Sequence, residues 1–114
     1  MTTTARGPRA TLRDHRWIDE RSHALHARIA DKLRERPELL AIAGENLDRW
    51  ESLRGPDPAF DEWRSLLRET PLDDLLRLLT EESENADRLR QSSPFAGILT
   101  VEERSAVLDH YETL

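Results

Sequence analysis

Cysteine is absent from the 114 residues of this chain, which excludes disulfides, thiolate zinc sites and a cysteine nucleophile. Aromatic residues are scarce at 5%, and β-branched residues are few beside abundant leucine, so the composition suits helices far better than sheet. No apolar run approaches the ~18 residues that a membrane span requires. Residues 1–8 lack the apolar stretch of a signal peptide. Together these absences point to a reducing cytoplasm and to no membrane. Lysine is nearly missing too: Lys32 stands alone among the basic residues, and the rest are arginine. That bias fits a high-GC bacterial genome and concerns codons, not chemistry. The chain also lacks a phosphate-binding glycine loop, a Gly-x-Ser-x-Gly elbow, a His-Glu-x-x-His pair and an EF-hand loop. No enzyme signature is present, and no catalytic residue, metal site or cofactor is expected.

Hydrophobic residues make up 37% of the chain and charged ones 35%, and the apolar residues come in clusters. At this length one core is expected, over residues 12–114, preceded by a disordered basic tail at 1–11. Charge is unevenly spread within the net −6. Residues 1–36 hold nine basic and five acidic side chains, leaving eight basic and eighteen acidic ones for 37–114. A basic arm on an acidic body suits a charged protein partner, nucleic acid or self-association.

The apolar spacing predicts five helices in an all-α bundle. Helix 1 is expected over 12–36, with Ile18, Ser22, Leu25, Ile29 and Leu33 on one stripe and Trp17 pointing away from it. Pro37 opens a second helix to residue 53, whose Leu39, Ile42, Ala43, Leu47, Trp50 and Leu53 form a wide apolar arc. Asp57 caps a third helix over 58–69, with Phe60, Trp63, Leu66 and Leu67 inward. Thr70-Pro71 predicts the start of a fourth, reaching Leu89 without interruption and burying Leu72, Leu75, Leu76, Leu79 and Ala86. Within it, Asp73 with Arg77 and Glu84 with Arg88 are i,i+4 pairs. Pro94 forces a turn, Phe95, Ile98 and Leu99 tuck that connection onto the core, and Thr100 with Glu103 forms a capping box. The fifth helix, 101–111, should bury Val107, Leu108 and Tyr111.

Three constellations are candidates for chemistry. His15, Asp19, Ser22, His23 and His26 gather on helix 1, but His15 and His26 are about 16 Å apart along the axis, too far to share an ion. Arg104 and His110 match the spacing of helical HEPN-type ribonucleases, yet six residues place them about 120° apart on a helical wheel. The stretch from Arg88 to Gly97 concentrates polar residues at a helix end and a tight turn, where recognition surfaces commonly lie.

Residues 12–22 (Leu-Arg-Asp-His-Arg-Trp-Ile-Asp-Glu-Arg-Ser) and 89–104 (Leu-Arg-Gln-Ser-Ser-Pro-Phe-Ala-Gly-Ile-Leu-Thr-Val-Glu-Glu-Arg) resemble a group of small bacterial proteins encoded beside toxin genes. The resemblance implies an antitoxin-like protein and carries no catalytic or binding residues to transfer. The leading expectation is a non-enzymatic interaction protein that binds and neutralises a protein partner. Its expected contact residues are Arg13, Arg16, Trp17, Arg21, Arg88, Arg90, Gln91, Ser92 and Ser93. In that picture the apolar and acidic surface of helices 2 to 5 meets a basic partner. The outward Trp17 and the wide arc of helix 2 also raise a homodimer. Two alternatives remain: a DNA-binding regulator using the Arg-rich helix 1, and a ribonuclease using Arg104 and His110.

Overall fold

Pro37 divides the first two helices, as its missing N–H and fixed φ require. The computed structural model describes residues 15–112, with side chains from 16 to 111; the expected tail, Arg13 and the His15 side chain lie outside those residues. Helix α1 (His15–Glu35) is followed by a 3-10 turn (Pro37–Leu40), α2 (Ala41–Arg54), α3 (Pro58–Glu69), α4 (Leu72–Thr80), α5 (Glu84–Gln91) and α6 (Val101–Glu112). No strand occurs among the described residues.

Helix α1 is the spine of the fold, packing against the 3-10 turn, α4, α5 and α6. Ile29, Ala30 and Leu33 are buried along it and meet Ala43 and Leu47 of α2, Phe60 and Trp63 of α3, and Leu75, Leu76 and Leu79 of α4. Each fully buried leucine contributes roughly 1.5–3 kcal/mol. The upper end of the expected stripe does not reach this core: Ile18 is 49% exposed. Leu53 is likewise exposed, while Leu39, Ile42 and Trp50 are partly buried against the core. Most of the α2 arc is thus used within the chain.

The expected fourth helix is two helices. Glu81 is extended (ψ 138°), and the Ser83 hydroxyl accepts from Ala86 N at 3.1 Å to start α5. A helix that stops leaves its last carbonyls without partners. Here those of α4 are met by side chains from two other helices, with His23 Nε2 donating to Thr80 O at 2.8 Å and Arg90 Nη1 to Leu79 O at 3.1 Å. At the start of α4, Pro71 occupies the cap position without a side-chain bond, and Thr70 ends α3 instead of capping α4. The expected i,i+4 pairs are also replaced: Arg77 meets Asp74, and Arg88 reaches across to Glu62. Asp57 caps α3 as expected, accepting from Ala59 N at 2.9 Å.

Among the described side chains of helix α6 none is fully buried, and Val107, Leu108 and Tyr111 are only partly covered. Glu103 adds polar contacts to that partial cover. It completes the capping box, accepting from Thr100 N at 2.8 Å while the Thr100 hydroxyl accepts from Glu103 N at 3.1 Å. The same carboxylate meets Arg28 at 2.8 Å and Lys32 at 2.6 Å on α1. Its pKa is held down at about 2, first by the Lys32 ammonium and then by the Thr100 backbone N–H.

Candidate functional site

The connection from α5 to α6 is irregular in backbone yet pinned from beneath. Phe95 is buried, set edge-on to Trp63 (ring centres 5.3 Å apart) and to His26 (6.3 Å). Asn46, a buried polar residue on the apolar side of α2, donates through Nδ2 to Pro94 O at 2.9 Å and Ala96 O at 2.8 Å. Arg49 donates to its Oδ1 at 2.5 Å and so fixes which way the amide points. Trp63 Nε1 donates to Leu89 O at 3.2 Å and to the Ser92 hydroxyl at 3.3 Å. Gly97 turns the chain with φ 86°, a conformation that favours glycine.

His26 completes the anchor. Its Nδ1 lies 2.7 Å from Ser22 O, a carbonyl that can only accept, so Nδ1 carries the proton. Nε2 is then bare and accepts from the Ser93 hydroxyl at 2.7 Å. Burial pushes the His26 pKa down to about 4, against the opposing bond from Ser22 and with the Arg90 charge adding to the fall. The ring is neutral at pH 7 and serves as a structural joint.

Beside this connection lies a groove of about 480 Å³ between α1, the end of α5 and the first turns of α6. Ile18 and Leu25 supply its apolar part, while Arg21, Gln91 and Arg104 supply polar reach. It continues past Leu25 and Arg104 into a recess of about 180 Å³ bordered by His26, Ser93, Phe95 and Gly97. On its other side, Asp19, Asp87 and Arg90 separate it from an acidic cleft of about 620 Å³, lined also by Glu20, Glu82 and Glu84. No family model, curated protein or solved structure matches the chain.

The structure sorts the expected contact residues. Arg21, Gln91 and, in the adjoining recess, Ser93 come together along this groove. Arg21 also lies over the half-buried Trp17 ring, 5.7 Å from its centre. Arg16 is exposed and pairs with Glu20 at 3.3 Å. Arg88 faces elsewhere, in a two-point pair with Glu62 at 2.9 and 2.8 Å. Arg90 lines the groove, but its side chain is only 4% exposed and its guanidinium is turned to Asp87 and Leu79 O. Ser92 is part of the anchor beneath the surface.

Sequence reasoning placed Arg104 in a different constellation, with His110. Arg104 borders the groove and the recess; His110 borders neither and stacks edge-on with Tyr111. Asn46 was missed as well. Its signal was visible, an amide inside the apolar arc of α2, where a buried polar group requires partners. Among the described residues no three His, Asp or Glu side chains gather to hold a metal ion, and no helix is long and apolar enough to cross a membrane.

Proposed function

We propose that this chain is a non-enzymatic interaction protein whose groove between α1, α5 and α6 receives a protein partner, in the manner of an antitoxin that binds and neutralises its toxin. One observation carries the reading: Arg21 on α1 and Gln91 at the end of α5, far apart in sequence, line one groove over exposed Ile18. An anchored turn forms its edge, so the surface is built before a partner arrives, and a preformed surface spends little on ordering. The adjacent acidic cleft extends this surface with the opposite charge, which favours a partner of mixed charge and disfavours wrong ones.

The other readings gain no comparable support. The cations of α1 with described side chains are largely paired with carboxylates, Arg16 with Glu20, Arg28 and Lys32 with Glu103, and Arg34 with Asp31, which leaves few of these for a DNA backbone. Arg104 borders the groove and its recess while His110 borders neither, so these cavities do not bring the two together for general acid–base chemistry.

The test is tagged co-purification from the native host with the product of the neighbouring gene. Recovery of that product in stoichiometric amount, with relief of its toxicity on co-expression, is the expected result. A clean chain with no partner, and no effect on any neighbouring product, would remove the reading.

A further inference from the structure

Two arginines that line the groove, Arg21 and Arg104, have no ion-pair partner among the described residues. Arg21 rests against Trp17 alone, and Arg104 meets no carboxylate. Every other cation of α1 with a described side chain has a carboxylate opposite it. The third guanidinium of the groove, on Arg90, is buried and already committed to Asp87 and the end of α4. Between the two free ones lies aliphatic surface from Ile18, 49% exposed, and Leu25.

We infer that Arg21 and Arg104 form a carboxylate clamp over an aliphatic floor, and that its occupant is an acidic amphipathic helix presented by the protein partner. The inference rests on the proposed function and names the chemistry of the segment that the groove takes. A carboxylate is the matching group because charge-assisted bonds from guanidinium are planar and can be paired. The neighbouring Ile18 and Leu25 require that aliphatic side chains flank the acid on the same face, which is the pattern of an amphipathic helix seated in a groove. Orientation follows from the charge on either side. Asp19 and Asp87 stand on the ridge toward the acidic cleft with Glu82 and Glu84 beyond, so acids of the bound segment are driven toward Arg104 and its bases toward the cleft. A polyanion such as RNA suits the site poorly, since it would place phosphates along that same acidic ridge.

The probe is a fluorescein-labelled helical peptide of repeated Leu-Glu-Glu-Leu, read by anisotropy with the full chain and compared with its Glu-to-Gln counterpart and with single-stranded RNA. The acidic peptide is expected to bind best, and Arg104→Ala and Arg21→Ala each to weaken it about tenfold, the loss of one charge-assisted bond. Ile18→Ser, at a half-exposed position that tolerates a polar side chain, should weaken it too. Arg77→Ala, distant on α4, should leave it unchanged. Equal binding of the Gln peptide, tighter binding of RNA, an unaltered affinity in Arg104→Ala, or no binding of the acidic peptide would each overturn the clamp. The same Arg104→Ala protein separates the two claims: a partner that still co-purifies with it at full yield keeps the proposed function and removes the clamp. Arginine-dependent peptide binding without any co-purifying partner does the reverse.

Discussion

The Nε2 of His26 accepts a hydrogen bond from the Ser93 hydroxyl at 2.7 Å, tying the middle of α1 to a turn 67 residues further along the chain. Because Nδ1 donates to Ser22 O at 2.7 Å, both ring nitrogens are committed only while the imidazole is neutral. Protonation would turn Nε2 into a donor facing a hydroxyl that must then reverse, and would place a charge near Arg90 and His23, the charged and titratable groups acting on it.

Acid should therefore loosen this turn before it unfolds the rest. The folded pKa of about 4 lies below the ordinary 6.5, so the unfolded chain binds the proton more readily. The contribution of neutral His26 is fully present above pH 6.5 and is lost as pH falls toward 4, on the order of 3 kcal/mol in total. Urea midpoints measured across that interval should fall with pH in the native protein. In His26→Gln, which cannot titrate, the fall should be much reduced; an unchanged slope would remove His26 as its source.

Asn46→Ala removes both bonds that hold the Pro94 and Ala96 carbonyls. Leaving the buried Pro94 acceptor unmet costs about 1–3 kcal/mol. Denaturant unfolding should register that loss, and hydrogen exchange should locate the added opening around residues 92–99 more than in α4. Asn46→Asp is expected to be worse still, since a carboxylate would face two carbonyls.

Glu103→Gln keeps an oxygen for the capping box but gives up the ion pairs with Arg28 and Lys32. Helix α6 rests on α1 with no fully buried side chain among those described, so its amides should exchange faster while those of α4 hold. Since the Glu103 carboxyl is held at about 2 in the fold, below its ordinary 4.5, this contribution is complete above pH 4.5 and fades as pH falls toward 2. The native protein should thus lose α6 protection in a second, more acidic interval than that of His26.

Arg88 and Arg90, two residues apart, should respond unequally to truncation. Arg90→Ala leaves Leu79 O and Asp87 without their buried partner and is expected to cost about 1–3 kcal/mol or more. Arg88→Ala breaks an exposed pair with Glu62, which solvent screens, so its effect should be much the smaller. Thermal melts of the two variants, side by side, check the ranking.

Local patterns in the chain suffice for the helical class, three of the boundaries and most of the core. Pro37, Asp57 and the Thr100–Glu103 box act through backbone geometry within a few residues, and the leucines of 72–79 repeat at helical spacing, so local rules suffice there. Packing between distant segments settled where 72–89 breaks, because the end of α4 depends on carbonyl partners that arrive from His23 and Arg90 on other helices. It likewise decided that Arg90 is buried and Arg21 is not, and that Arg104 belongs with Arg21 and Gln91. Hydrophobic periodicity assigns a side chain to a face of its own helix; whether a neighbouring helix covers that face is settled by packing between segments distant in the chain, which no local pattern encodes.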